Sequence, residues 1–382
     1  VAPPNIYLED TDSGKKDTVW INVAPNTEDT ESVLLPTVWK PGFFDAVVAP
    51  NLFVAVASDG IGGDGSYIMT SPDGIVWTLR VSQVNTPDDN AWRDICYSPE
   101  QGKLVVVAQG NTLYLSVPDT LKQILTSTDG ITYDSFFSSE SLAWYTGVRW
   151  SPSLALYCAV SPGEDGAGNG TSARIMTSPD GEVWTSRASA DATTNNPQWR
   201  AICWSPELAL WCAVANGGTG ARVITSPDGI NWTARAIPEN NGWQGVVWSP
   251  QLLLFVAVSN TGTNRVMTSP DGINWTARSA ATASAWIDVC WSPSLGLYCA
   301  VSASANTNCI MTSPDGTNWT TRVAPNANVY LGVCWSPAAN LFVAVATTGA
   351  GNRVMTSPDG VNWTARASAA DKAWASVTWA GL

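Results

Sequence analysis

The chain has no histidine at all. That single absence removes Ser–His and Cys–His nucleophile pairs, imidazole acid–base chemistry and most zinc sites. Charge is also scarce: only 13% of residues are Asp, Glu, Lys or Arg, and 19 cations stand against 32 anions for a net charge of −13. The few Lys and Arg are scattered rather than clustered, so no basic stripe exists to track a phosphate backbone, and nucleic acid is not an expected partner. No apolar run approaches the roughly 20 residues of a membrane span, and the first ten residues, VAPPNIYLED, lack the apolar core of a signal peptide. The expectation is a chain without membrane insertion or a cleavable export signal. The eight cysteines show no C-x-x-C spacing, which leaves neither a metal nor a cofactor site to expect.

What is present is turn and strand chemistry. At 382 residues and 45% hydrophobic content the chain can bury a large core, and its 31 Gly, 24 Pro and 21 Trp accompany abundant Ser, Thr and Asn. That profile belongs to an all-β protein of many short strands. The phrase TSPDGINWTAR occurs at 225–235 and again, unchanged, at 268–278. In looser form it occurs seven times, with its Asp at Asp73, Asp129, Asp180, Asp228, Asp271, Asp315 and Asp359; Gly follows, and three residues later comes Trp, or once Tyr133. Successive spacings are 56, 51, 48, 43, 44 and 44 residues. A second phrase, W-x-x-x-x-W-S-P before an apolar run, lies between the first ones, intact at Trp199/Trp204, Trp243/Trp248 and Trp286/Trp291 and varied at Phe43/Val48, Trp92/Tyr97, Tyr145/Trp150 and Tyr330/Trp335.

Each unit reads as four strands, A to D. Ser-Pro closes the A–B turn and Pro-Asp-Gly the C–D turn, because Pro presets φ near −65° and Gly accepts φ > 0. Four strands in about 40–50 residues is the signature of a β-propeller blade. Seven units run from 43 to 366, and a further A strand, WASVTW at 374–379, follows them. The N-terminus offers echoes of its missing partners: 4–11 aligns as strand B, 21–27 as strand C with Asn26 in place of the Asp, and 32–35 as strand D. Counted around a circle, Asn26 lies 47 residues before Asp73 and 49 after Asp359. The pattern predicts a single domain over 1–382, an eight-bladed propeller whose closing blade joins 1–36 to 374–382. Seven blades with packed termini is the alternative.

S-P-D-G-x-x-W resembles the Asp-box, S-x-D-x-G-x-x-W, of sialidases, sortilin-type receptors, xyloglucan-degrading enzymes and a photosystem assembly factor. It is one residue shorter between Asp and Gly, so only the roles of Ser, Asp, Gly and Trp in a C–D turn carry over. The resemblance covers nearly the whole chain and implies a folding device on the blade edge, with the seven aspartates as structural turn residues. Their occurrence in every unit fits that role and not a single catalytic site. The combination TSPDGxxWTxR with WSPxLxLFVAV is also similar to propellers encoded by bacteriophages and bacteria. It implies a non-enzymatic structural or adhesive protein on a virion or cell surface, with other surface proteins or glycans as partners.

Candidate site residues are those outside the repeat phrases. Asp45, Asp94 and Asp288 share one A-strand position, and Asp45 with Asp94 on neighbouring blades would be the carboxylate pair if the chain were a glycosidase. Arg93 and Arg200 join them as candidate channel residues. Arg149 sits three positions further along its A strand and by strand alternation faces the other way, so a carboxylate-binding arginine triad of the sialidase type is not expected. Box-linked arginines (Arg80, Arg187, Arg235, Arg278, Arg322, Arg366) and those opening strand C (Arg174, Arg222, Arg265, Arg353) are expected to pair with nearby carboxylates or carbonyls. Cys96, Cys203, Cys290 and Cys334 share one A position, and Cys158, Cys212 and Cys299 one B position, where Val or Thr stands elsewhere: small buried side chains. Cys203/Cys212 and Cys290/Cys299 face one another across A–B hairpins, close enough for disulfides in an oxidising compartment. Units 1 to 3 carry longer loops, which is where asymmetric function is expected. A multivalent carbohydrate-binding propeller, its Trp-rich inter-blade pockets repeated around the ring, is the second functional reading.

Overall fold

The computed structural model describes residues 49–58, 67–81, 91–109, 123–139, 144–163, 174–190, 197–218 and 221–381. Among these, twenty-eight strands form seven four-stranded antiparallel sheets. Blade 1 is β1 (Leu52–Ala57), β2 (Ile68–Ser71) and β3 (Thr78–Arg80) with β28 (Trp374–Ala380). Blade 2 is β4 (Ala91–Ser98), β5 (Lys103–Gln109), β6 (Ile124–Ser127) and β7 (Asp134–Phe136), and blade 3 is β8 (Gly147–Ser151), β9 (Leu156–Val160), β10 (Ile175–Ser178) and β11 (Thr185–Arg187). Blade 4 holds β12 (Gln198–Ser205), β13 (Leu210–Gly217), β14 (Val223–Ser226) and β15 (Thr233–Arg235); blade 5 holds β16 (Trp243–Ser249), β17 (Leu254–Ser259), β18 (Val266–Ser269) and β19 (Thr276–Arg278). Blade 6 holds β20 (Trp286–Ser292), β21 (Leu297–Ser302), β22 (Ile310–Ser313) and β23 (Thr320–Arg322), and blade 7 holds β24 (Tyr330–Ser336), β25 (Leu341–Ala346), β26 (Val354–Ser357) and β27 (Thr364–Arg366). The protein is a seven-bladed β-propeller, and each inner strand touches the inner strands of both neighbouring blades around a closed cycle.

The expected eighth blade is corrected by one pairing. The C-terminal strand β28 bonds to β1, with Phe53 opposite Trp379 and Val54 opposite Thr378, so it completes the first unit. The Ser58 N–H adds a bond to the Ala373 carbonyl at 2.8 Å. A strand edge accepts one partner, and β28 carries the full W-x-x-x-x-W phrase that the 43–48 segment lacks. The Phe53–Trp379 rings lie 4.8 Å apart, as Trp248–Phe255 and Trp291–Tyr298 do at 4.5 Å in complete blades, so the terminal strand supplies the missing member of a repeated aromatic pair. The echoes at 4–11, 21–27 and 32–35, and with them Asn26 and the remainder of 1–36, lie outside the described residues, as does Asp45.

The B and C strands are buried on both faces, which is why they read as continuous runs such as LFVAV instead of alternating. The outer D strands are exposed or half-buried. The Ser and Asp Oδ1 hydrogen bonds of the box turn recur in all seven blades, and an Asn amide adds a bond to Asp Oδ2 in blades 4 to 7. In blade 5 the Ser269 hydroxyl donates to Asp271 Oδ1 (3.0 Å) and accepts the Gly272 N–H (2.9 Å). The same Oδ1 accepts the Ile273 and Asn274 N–H groups at 2.8 Å, Asn274 Nδ2 donates to Oδ2 at 2.7 Å, and Trp275 Nε1 donates to the Gly272 carbonyl at 3.1 Å. Where Tyr133 replaces Trp, its hydroxyl donates to the Gly130 carbonyl at 3.2 Å and keeps the joint.

The box glycine also explains why the phrase repeats verbatim. A Cβ on Gly272, which has φ +72°, would stand 2.9 Å from Leu210 Cδ2 of blade 4. Gly316 meets Leu254 and Val256 of blade 5 in the same way, Gly360 meets Leu297 of blade 6, and Gly74 of blade 1 meets Leu341 of blade 7. Each box therefore seats against the blade before it, and the last of these contacts closes the ring. A side chain at this glycine would be refused twice, by its positive φ and by the neighbouring blade.

Candidate functional site

The seven A strands line a central channel that opens into a cavity of about 470 Å³. One residue from each blade, two positions before the Ser of Ser-Pro or its Ala380 equivalent, forms a ring: Cys96, Arg149, Cys203, Val247, Cys290, Cys334 and Thr378. Burial raises the pKa of all four thiols of this ring, which makes them poor nucleophiles. No three His, Cys, Asp or Glu side chains among the described residues gather as metal ligands. Cys203 and Cys212, and likewise Cys290 and Cys299, are direct cross-strand partners, and all eight cysteines are free thiols.

Asp94 and Asp288 are on blades 2 and 6, not on adjacent blades, and each is committed to joining blades. Asp94 Oδ2 accepts the Val148 N–H of blade 3 at 3.0 Å and forms an ion pair with Arg149 at 2.5 Å. Its Oδ1 accepts the Ser376 hydroxyl of the C-terminal strand at 2.8 Å. One side chain thereby ties blades 1, 2 and 3 together where the C-terminal strand enters the ring. Asp288 does the equivalent between blades 6 and 7: Oδ2 accepts the Val333 N–H at 3.0 Å and Oδ1 its neighbour Val289 N–H at 2.9 Å. Elsewhere the same position is Gly, Ala or, in the C-terminal strand, Ser376, and at the glycines the space is filled by backbone: a Cβ on Gly245 would lie 2.9 Å from the Ile287 carbonyl oxygen, and one on Gly332 2.9 Å from Ser376 Cα.

The electrostatics follow from this burial. Burial pushes the Asp288 carboxyl up to about 6, with the Val333 N–H and the Arg149 charge only partly opposing it. For Arg149, burial works against the charge, yet Asp94 and Asp288 hold its pKa above the ordinary value. Arg93 and Arg200 are placed differently. Arg93 Nε donates to Gln109 Oε1 at 2.6 Å and Arg200 Nε to Gln244 Oε1 of the next blade at 3.2 Å. Burial and the charge of Arg200 lower Arg93 to about 10.

The structure thus brings Asp94 together with Arg149, which alternation had set apart from the other two arginines, and gives Arg93 and Arg200 separate glutamine partners. Among the described residues the three arginines share no hydrogen-bond acceptor. Alternation alone was an incomplete guide, because the register shifts at this end of the A strand, between Trp92 and Asp94 in blade 2 and between Trp286 and Asp288 in blade 6, and a bulge there resets the faces. Ser376, Gln109 and Gln244 had no signal of their own in the sequence. The strand-C arginines meet expectation: Arg222 donates to the Asn241 carbonyl at 2.6 Å and Arg265 to the Ser284 carbonyl at 2.8 Å, tying B–C loops to D–A loops. The box arginines do not. Each donates its Nε to a strand-C threonine hydroxyl, as Arg235 does to Thr225 at 2.8 Å and Arg366 to Thr356 at 2.9 Å.

No protein-family model matches the chain, and no curated protein matches it in sequence. Solved structures do match in fold. A periplasmic gluconolactonase from Pseudomonas aeruginosa aligns with a TM-score of 0.57 at 11% identity, covering 86% of this chain and 99% of the other. A protein from Lactobacillus plantarum gives 0.57 at 9% identity with the same coverage. YCF48 from Cyanidioschyzon merolae gives 0.50 at 14% identity, covering 74% of this chain and 87% of the other. Identities this low establish a shared propeller fold and carry no activity across.

Proposed function

We propose that this propeller is a non-catalytic binding module, structural or adhesive in use, presented on a phage particle or bacterial surface. The observation that carries the proposal is the employment of the channel carboxylates: Asp94 and Asp288 direct their oxygens at neighbouring blades, Asp94 also at Arg149, and among the described residues, which do not include Asp45, neither is hydrogen-bonded to a second carboxylate of the kind glycoside hydrolysis requires. The surface location rests on the similarity of its repeat phrases to phage and bacterial propellers. Units 1 to 3 differ from the others in carrying longer connecting sequences, mostly outside the described residues, and sequence difference between repeats is where a specific function is sought. Some structural neighbours are named gluconolactonases, so turnover is the direct test. A panel of sugar lactones and polysaccharides incubated with the purified chain should show no hydrolysis above background. Hydrolysis that disappears in Asp288→Asn would defeat the proposal. Antibody labelling of intact particles or cells, compared with lysed ones, tests the location.

A second reading, a multivalent carbohydrate binder, is favoured by one specific observation: the outer groove between blades repeats the same arginine–threonine arrangement on six of the seven blades.

A further inference from the structure

Six arginines on the outer strands, Arg80, Arg187, Arg235, Arg278, Arg322 and Arg366, adopt one geometry. Each Nε donates to the hydroxyl of a strand-C threonine at 2.8–3.2 Å. Those threonines are buried, as Thr225 and Thr312 are at 1% exposure, so the stem of each arginine is held against the blade. None of the six takes part in an ion pair among the described residues. Among the described residues their terminal Nη1 and Nη2 nitrogens have no hydrogen-bond partner, and none of these nitrogens is buried. The fork therefore faces solvent with two N–H edges open.

Its surroundings are the groove between adjacent blades. The threonine that holds Arg235 lies 3.4 Å from where a Cβ on Gly272, the box glycine of the next blade, would stand, and Thr312, which holds Arg322, is equally close to Gly360. The charge of Arg80 reaches the hydroxyl of Tyr133, the box aromatic of blade 2. The threonines that hold Arg187, Arg235 and Arg322 thus each pack on the box glycine of the following blade, which puts a fixed guanidinium beside that box.

We propose that these grooves are a ring of equivalent sites for the oxyanion groups of an acidic polysaccharide, one carboxylate or sulfate per groove. This inference rests on the binding-module reading above and names its ligand class. Two parallel N–H donors in a rigid plane match the two oxygens of a carboxylate or sulfate, and the threonine bond restricts the side chain before binding, which lowers the ordering cost. A single exposed site of this kind is weak. Six on one ring raise avidity by linked binding, by about 10²–10⁴-fold where a polymer spans several. The overall charge of −13 selects against densely charged chains, so a polymer with spaced anions on a neutral sugar backbone fits better than nucleic acid. Blade 2 is a built-in control: Phe136 stands where the other blades have Arg, opposite Ile124 in the same register that pairs Arg235 with Val223.

The test is retention of the full chain on surfaces of neutral dextran, carboxymethyl-dextran, dextran sulfate and single-stranded DNA at near-physiological salt. At least tenfold stronger retention on one or both charged dextrans than on neutral dextran is expected, falling as salt rises; the two charged surfaces tell carboxylate from sulfate. The quadruple variant R235K/R278K/R322K/R366K keeps the charge, loses the fork, and should lose most of the retention while its unfolding midpoint stays near that of the parent. If the quadruple variant unfolds, Phe136→Arg decides, since a seventh site should increase retention. Equal retention on neutral dextran, stronger retention on DNA, or no response to either variant would overturn the proposal. Hydrolysis is not read in this experiment, so its failure leaves the non-catalytic reading standing, and turnover in the lactone panel would leave these sites untouched.

Discussion

The outer edge and the inner wall of this propeller solve the same problem, joining one blade to the next, in opposite ways. At the outer edge the box turn is nearly invariant, with the same Ser and Asp Oδ1 hydrogen bonds in every blade and a glycine seated on the preceding blade each time. At the inner wall the joining position varies among Gly, Ala, Ser and Asp, and its two aspartates act singly. Invariance marks a joint made by shape, which must be identical because each blade is both the seat and the sitter. Variation marks a joint made by charge and hydrogen bonding, needed only where a backbone contact does not suffice. The inner joint with the most partners among the described residues is Asp94, which also holds the C-terminal strand through Ser376.

If the comparison is right, removing the inner clasp costs more than removing any one outer turn. Asp94→Ala leaves the Val148 N–H without its acceptor, leaves Arg149 with only the Val148 carbonyl and without its ion pair, and detaches Ser376; the loss is about 3 kcal/mol, the lower end of the range for breaking a buried pair because Arg149 is 37% exposed. Asp271→Ala removes an acceptor from one half-exposed turn and should cost about 2 kcal/mol. Urea denaturation of the two variants side by side checks the order, and an Asp271→Ala loss exceeding that of Asp94→Ala would reverse the ranking.

Shape at the outer edge can be separated from backbone strain with two glycines. Gly272 and Gly296 both have positive φ, +72° and +58°, but a Cβ on Gly272 would meet Leu210 at 2.9 Å whereas one on Gly296 meets nothing within 4 Å. Gly296→Ala should cost about 1 kcal/mol from conformation alone, and Gly272→Ala about 2 kcal/mol or more, because overpacking adds to it. Equal losses would mean that the box glycine is there for its turn and not for the neighbouring blade.

The two regions also respond to pH with opposite signs. At the edge, burial disfavours the charged forms of Asp271, Asp315 and Asp359, but the N–H and Asn amide donors of the turn outweigh it and hold these carboxyls at about 2. A folded value below the unfolded one, near 3.9, means their stabilisation is complete above about pH 4 and is lost as pH falls toward 2. Asp288 has the reverse shift, to about 6, through burial. Its stabilising contribution is present below about pH 4 and is lost as pH rises through 6. Unfolding midpoints of the parent and Asp288→Asn at pH 2.5, 4, 6 and 7 should show the same acid loss in both, and a gain of the variant relative to the parent between pH 4 and 6.

The edge was legible in the sequence because its chemistry is local. Ser226, Asp228, Gly229 and Trp232 interact within three residues of one another, so their spacing is their geometry. The inner wall was not. The partners of Asp94 are 54, 55 and 282 residues away, and no periodicity marks them. The choice between eight blades and the alternative of seven, which is the number found, was open for a related reason: an echo of the repeat at 21–27 resembles a strand, but the choice of partner for β28 is settled at β1, more than 300 residues distant, by hydrogen bonding and an aromatic pair. The grooves that hold the box arginines fell between these cases. Their residues repeat visibly, while the threonine acceptor, ten positions earlier, becomes evident only once the C–D hairpin is folded.

The smallest expected effect lies in the A–B turns, where the outer and inner regions meet. All seven blades place a left-handed residue just before or near the start of strand B: Asn51, Gly102, Ala155, Ala209, Leu253, Gly296 and Asn340, with φ between 47° and 59°. Blades 2 and 6 spell Gly there at no strain, whereas Leu253 holds φ +48° with its side chain 52% exposed and so has little packing in return. A left-handed non-glycine residue costs about 1–2 kcal/mol, and glycine gives back about 0.5–1 kcal/mol through the greater freedom of its unfolded chain. Leu253→Gly should therefore stabilise by roughly 0.5–1 kcal/mol, a small rise in the urea midpoint with unchanged slope. Since the turn geometry is shared, Gly102→Ala should lose a comparable amount, and the double variant should return close to the parent because the sites lie on different blades and do not touch. A loss in Leu253→Gly would show instead that the exposed leucine is held by a contact made outside the propeller.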